Sequence, residues 1–186
     1  MRQNFMTGVG LATLLLAGCK GDEPAPSYCQ AIGGGNAQAS EVCNSNCNQQ
    51  NIAAAVDANF DTAATIGVSV QSEGVLRGTA QDGVVFPEGK FAGVYLHKPP
   101  LVNGGTFDLT ISTYLDGVLV DSELAFSESG ATSGDLFCNF RCLDDGPNMF
   151  IGIPAGGAFD AIEIAYNQSA GTQSRQILAY EFCTRD

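Results

Sequence analysis

From residue 64 to its end the chain repeats with a period of two and shows no sustained period of 3.6, which removes most fold classes at once. The cleanest instance is residues 106–114, where Phe107, Leu109 and Ile111 alternate with Asp108, Thr110 and Ser112. Successive side chains of a strand point to opposite faces, so such a segment buries one face and wets the other. Residues 65–70 and 74–80 read the same way, and further strands are expected over 84–86, 90–97, 119–126, 136–142, 149–153, 159–166 and 175–183. Between them stand Asp82-Gly83, Pro87-Glu88-Gly89, Pro99-Pro100, Asp116-Gly117 and Asp144-Asp145-Gly146-Pro147. Asp-Gly between alternating runs signals a hairpin, since aspartate and glycine tolerate the positive φ values that tight turns require. About eight to ten short strands with regular turns predict an all-β protein, an antiparallel β-sandwich or jelly roll.

Length and composition fit that class. The 186 residues are 45% hydrophobic and 15% charged. One domain of this size buries roughly 70% of its unfolded surface. Twenty acidic against eight basic residues leave a formal charge of −12. Such a surface repels phosphate backbones, so nucleic acid is excluded as a partner.

The first nineteen residues read as a targeting segment. Arg2 supplies a positive start, and Gly8 to Ala17 is an apolar run too short to cross a hydrocarbon core about 30 Å thick. It ends in Leu16-Ala17-Gly18-Cys19, which resembles the lipobox of bacterial lipoproteins. The resemblance implies cleavage before Cys19, acylation of its thiol, and attachment to a membrane through that lipid. Lys20 beside the anchor leans the expectation towards an outer membrane, with the domain on the periplasmic side or at the cell surface. Residues 20–28 are polar, with Pro24 and Pro26, and read as a tether. The expected organisation is therefore residues 1–18 as signal peptide, 19–28 as lipidated cysteine and tether, and 29–186 as one β-sandwich domain. Its first part, 29–55, carries cysteines and little other information beyond one expected helical turn over 51–55.

Six cysteines remain: Cys29, Cys43, Cys47, Cys138, Cys142 and Cys183. An even number in an exported chain reads as three disulfides, with fifteen pairings open. The equal spacing of Cys43/Cys47 and Cys138/Cys142 raises a four-thiolate zinc site as the alternative. Structural zinc more often uses two-residue gaps, and an oxidising compartment disfavours free thiolates. A link from Cys29 or Cys43 to the C-terminal half would staple the N-terminal segment onto the β-domain.

Just before the first alternating run stands Asp57-Ala58-Asn59-Phe60-Asp61-Thr62. It is similar to the Asp-Gly-Asp/Asn-x-x-Thr loop of discoidin-like, or galactose-binding-like, β-sandwiches, which include the family 32 carbohydrate-binding modules. The C-terminal Leu178-Ala179-Tyr180-Glu181-Phe182-Cys183 resembles their last strand, with its glutamate. The resemblance implies a structural calcium held by Asp57, Asn59, Thr62 and Glu181, a set of oxygen donors suited to a hard cation. Ala58 stands where the family has glycine, Ala64 where it has an aromatic, and the chain has no tryptophan. Read from its own residues, the loop is an Asx turn in which Asp57 and Asn59 bind their own backbone. It also implies ligand binding at loops on one end of the sandwich, through Arg77, Tyr95, His97, Asn103 and Arg141.

Little else points to catalysis. His97 is the only histidine, and neither Gly-x-Ser-x-Gly nor His-Glu-x-x-His occurs. Asp121 and Glu123 have the same-face spacing of a glycosidase pair, a spacing that twenty acidic residues produce by chance. The expectation is a non-catalytic envelope lipoprotein, a carbohydrate-binding or adhesive module. A structural protein binding another envelope protein is the alternative, and a hydrolase is the least favoured reading.

Overall fold

The structure is a computed structural model that describes residues 29–44, 47–97, 106–128, 136–138, 141–170 and 174–186, and only the backbone of residues 44, 128, 136–138, 144–145 and 170. Cys19, the tether and Asn103 lie outside the described residues.

The strands in chain order are β1 (Gln30–Ala31), β2 (Gln38–Asn44), β3 (Cys47–Gln50), β4 (Ala64–Val68), β5 (Ser72–Thr79), β6 (Phe91–His97) and β7 (Thr106–Leu115). They continue with β8 (Val118–Glu128), β9 (Leu136–Cys138), β10 (Arg141–Asp145), β11 (Asn148–Pro154), β12 (Ala161–Ala170) and β13 (Arg175–Arg185). The first sheet runs β10-β11-β6-β13-β4-β3, with β1 also against β13; the second runs β2-β5-β12-β7-β8-β9. All pairings are antiparallel. The chain crosses between sheets from β4 to β5, back to β6 and over again to β7, then returns from β9 to β10 and passes through β12 to β13. This is the expected antiparallel β-sandwich, stapled by disulfides.

The inward side chains of the alternating runs meet in one core. Ile66, Leu76, Val94, Leu96, Phe107, Ile111, Ile151, Ile164, Tyr166 and Phe182 are all buried there. Asp116 and Gly117 both take positive φ, 51° and 78°, the primed turn that matches strand twist and joins β7 to β8 as the sequence predicts.

Three expectations need correction. Residues 84–86 form no strand: Phe86 makes an isolated bridge to Phe159, and the following Pro87 has no N–H to continue a ladder. Residues 136–142 are not one strand but two, with β9 closing the second sheet and β10 closing the first. Besides the expected helical turn, a 3-10 helix at Ile52–Val56, the low-information segment 29–55 supplies three strands, so the strand total exceeds the predicted one. Its polar residues pair because their backbone, not their side chains, completes both sheets: β2 extends β5 and β3 extends β4. The zinc alternative also falls away. Cys29 pairs with Cys183 and Cys43 with Cys47, and Cys142 is disulfide-bonded too. The first of these is the staple to the C-terminal half; Cys43 instead ties the edge of one sheet to the edge of the other.

Candidate functional site

Two places on the first sheet collect the predicted site residues. One is the loop 57–62. Asp57 Oδ1 accepts the Asn59 N–H at 2.9 Å, and Asn59 Oδ1 accepts the Asp61 N–H at 3.0 Å. The Thr62 hydroxyl donates to Asp57 Oδ2 at 2.8 Å. Ala58 sits at φ 59°, a left-handed conformation that costs a residue with a Cβ roughly 1–2 kcal/mol and explains the glycine of the resembling loops. What holds it there is Glu181 on β13. Its Oε2 accepts the Ala58 N–H at 2.9 Å, and its Oε1 accepts the Gly33 N–H at 3.2 Å. Glu181 is wholly buried, and that burial is the main force pushing its carboxyl up to about 8. The Asp57 charge pushes the same way, while the two N–H bonds oppose it.

The residues present fit a hard cation in kind. Two carboxylates, Asp57 and Glu181, repel one another, and the Thr62 hydroxyl touches the first. Each Glu181 oxygen accepts one N–H bond and keeps a second lone pair. Side chains alone do not complete a site: among the described residues no three His, Cys, Asp or Glu side chains gather as metal ligands. Backbone carbonyls would have to supply the remainder of the six to eight oxygens calcium takes.

The second place is the outward face of the same sheet. A small second core forms there from the Cys29–Cys183 disulfide, Tyr95 and Phe150, with Phe60, Phe91, Leu143 and Tyr180 packed against it. A glycine pair allows it. Gly93 on β6 faces Gly152 on β11, and a Cβ on either would meet the Phe150 ring, at 2.8 and 2.6 Å. Phe60, carried on the 57–62 loop, meets Tyr95 edge-on with ring centroids 5.6 Å apart; Tyr180 meets Tyr95 at 5.7 Å. Strand register then places His97 opposite Asn148. His97 Nδ1 lies 3.1 Å from Asn148 Oδ1, and Asn148 Nδ2 donates to the Tyr95 hydroxyl at 3.2 Å. An imidazole, an amide and a phenol thus form one polar chain at the lip of an aromatic cluster.

The predicted ligand residues do not all meet there. Tyr95 and His97 do. Arg141 lies on the same face but at the other end of β6, over the Phe91 ring at 4.8 Å, donating to the Asp186 carbonyl at 3.1 Å. Arg77 faces outward from the second sheet. Its Nε and Nη2 donate to Glu163 Oε2 at 2.8 and 2.6 Å, its guanidinium stacks 3.7 Å over Tyr114, and Tyr114 donates to Glu163 Oε1 at 2.9 Å. Burial, followed by that bond to Glu163, raises the Tyr114 hydroxyl above its ordinary value. Asp121 accepts the Gly156 N–H at 3.2 Å and so fastens a loop. Sequence reasoning missed Asn148, Phe60 and Tyr180 as members of the cluster. The cross-strand register that brings Asn148 to His97 has no local signature.

No family model matches the chain, and no curated protein matches it. Among solved structures, the family 32 carbohydrate-binding module of C. perfringens NanJ, in complex with galactose, is similar over 86% of this chain and 98% of that one, at 13% identity and a TM-score of 0.45. The family 32 module of AlyQ, in complex with 4,5-unsaturated mannuronic acid, matches 78% of this chain and 92% of that one at 13% identity and a TM-score of 0.36. The VP2 protein of infectious bursal disease virus matches 97% of this chain and 37% of its own at 16% identity and a TM-score of 0.35. Carbohydrate-binding modules and a viral VP2 protein stand side by side here, and likeness this distant carries no argument about ligand or chemistry.

Proposed function

We propose that the chain is a non-catalytic, lipid-anchored envelope protein whose sandwich binds carbohydrate at the His97–Asn148–Tyr95 edge. The observation behind this reading is the polar chain set against partly exposed aromatic rings. A sugar offers an apolar C–H face for stacking and a ring of hydroxyls for hydrogen bonding, and it needs both kinds of partner within one ring diameter. Phe60 and Tyr180 provide the rings. Asn148 provides an amide that donates and accepts, and with Nδ1 committed to Asn148, His97 meets a ligand hydroxyl through Nε2. The cation fits as a structural aid rather than a ligand for sugar: Asp57, Asn59, Thr62 and Glu181 would hold calcium, and Phe60 rides on the same loop. Calcium then supplies charge neutralisation, which steadies the loop and with it one ring of the platform.

The test is a glycan array of the 20–186 fragment with and without calcium. Binding is expected, and Tyr180→Ala and His97→Ala are expected to lose it at least about tenfold while melting near wild type. No binding in either condition removes the reading. For the cation, calcium is expected to raise the melting temperature of wild type but not of Asp57→Ala; identical wild-type curves with calcium and EDTA remove it.

One observation favours the second reading, an envelope protein that binds another protein. Val42, Val75, Ala165, Thr110 and Leu124 stand opposite one another across the outward face of the second sheet. Val42 is 56% and Leu124 39% exposed, a flat apolar stripe of the kind that protein partners cover. Loss of cell-envelope cross-linking in Val42→Lys with glycan binding intact would favour this second reading.

A further inference from the structure

Strand register divides the sandwich into two ends, and the tether leaves from one of them. Gln30 pairs with Thr184 and Ala31 with Cys183, so β1 read backwards runs towards Arg185 and the start of β6. The same end holds Pro154 opposite Phe91, and Thr79, Ala161 and Tyr114 in one row across the second sheet. His97 and Asn148 belong to the opposite end.

Exposed aliphatic side chains gather at the tether end. Val84 is 41% and Val85 53% exposed, in the loop between β5 and β6; Val118 is 68% and Leu119 54% exposed, at the β7–β8 hairpin. Both loops are fastened to the segment before β12. Phe86 and Phe159 exchange backbone bonds, Asp160 donates its N–H to the Tyr114 carbonyl, and its carboxylate accepts the Asp116 N–H at 3.0 Å. The aliphatic tips are thereby presented together on a stiff base. Exposed carboxylates flank them at Asp82, Glu88 and Asp116.

From this we infer that the tether end of the sandwich rests on a lipid surface, with Val84, Val85, Val118 and Leu119 seated in the headgroup region and the His97–Asn148 edge facing away. The inference rests on the reading of Cys19 as the lipidated residue. Nine residues separate Cys19 from Cys29, and a chain advances at most about 3.6 Å per residue, so the domain is confined within about 35 Å of the bilayer. Confinement turns a weak apolar contact into an intramolecular one, at an effective concentration in the millimolar range. The contact is available to the end where the tether emerges. The three carboxylates set the lipid class: zwitterionic headgroups are accepted, whereas anionic ones are repelled. The ligand edge then faces the compartment in which a glycan would be met.

The chain has no tryptophan, so a single introduced indole reports its own surroundings. The full chain is expressed with its own leader, acylation of Cys19 is read by mass spectrometry, and the protein is reconstituted in phosphatidylcholine vesicles carrying brominated acyl chains. Side chains seated about 5–10 Å into the interface are quenched by such lipids. V118W is expected to shift to the blue and to be quenched at least about twofold, and N167W, six residues along β12 from the tether-end row, not at all. Adding V84S, V85S and L119S to V118W is expected to abolish that quenching with the melting temperature retained. Replacing a third of the lipid by phosphatidylglycerol is expected to weaken it. An acylated protein whose V118W is quenched no more than N167W overturns the docking and leaves the anchor standing. Chain recovered without acylation and without vesicle association overturns the anchor, and the docking with it.

Discussion

The outward faces of the two sheets come from similar alternating strands and end in opposite states. On β5 the burial alternates strictly, with Glu73, Val75, Arg77 and Thr79 half-buried and the residues between them buried. On β6 and β11 five residues in a row are buried. The second sheet leaves its outer face to water and keeps a charge pair there, Arg77 with Glu163. The outward face of the first sheet is covered by Phe60 from the 57–62 loop and by the Cys29–Cys183 disulfide packed with Tyr95 and Phe150, and has room beneath the Phe150 ring only because Gly93 and Gly152 have no side chains. The two glutamates show what covering costs. Glu163 meets a guanidinium at the surface; Glu181 is shut away with two backbone N–H groups, and the exposed Asp57 carboxylate adds its repulsion. A covered face gains apolar burial and rings for a platform, and in return holds a carboxylate whose ionisation the fold opposes.

The sharpest way to break this comparison is to remove the fastening. Replacing Cys29 and Cys183 by alanine opens a loop closed over a separation of 154 residues, and chain-entropy reasoning gives a loss of about 5 kcal/mol. Replacing Cys43 and Cys47, separated by 4, loses about 2 kcal/mol on the same reasoning. Urea unfolding of the two variants measures both; equal losses would mean that the cover does not depend on its staple. Next in size is truncation of matched side chains on the two faces. Phe150→Ala is expected to cost about 3–5 kcal/mol, and Leu124→Ala on the open face less than about 1 kcal/mol. Comparable costs would deny that the first face is a second core.

The third effect is the pH dependence that the cover creates. In EDTA, the folded Glu181 carboxyl keeps its proton to about 8, against 4.5 ordinarily, so the folded chain binds the extra proton. That contribution is whole below pH 4.5 and is lost as the pH rises through 8. Stability is expected to fall across this window by an amount on the order of 5 kcal/mol. Glu181→Gln is expected to remove the slope, and a slope surviving in that variant would assign it elsewhere.

The sandwich was legible because alternation and turn chemistry are local. Asp116-Gly117 announces a hairpin through the φ values it tolerates, and residues 106–114 announce a two-faced strand through their order alone. Of segment 29–55 only the helical turn was legible: its strands are edge additions paired through backbone, and backbone pairing leaves no mark on Asn and Gln. The candidate site divides along the same line. Glu181 and the 57–62 loop were visible as a motif, and the structure brings them together. His97 and Tyr95 were visible as residue types, but sequence tells neither which face of the sandwich a residue joins, as with Arg77, nor which end of a face, as with Arg141.

Sequence by itself therefore determined that this chain forms antiparallel strands, where most of them turn, and that its surface is acidic. Only tertiary structure decided which outward face is covered, which cysteine reaches Cys29, and that Asn148 stands beside His97. The reason is physical. A strand's period of two says that its faces differ, and nothing in the strand says what will lie on either; that depends on segments more than a hundred residues away, brought in by pairing and burial.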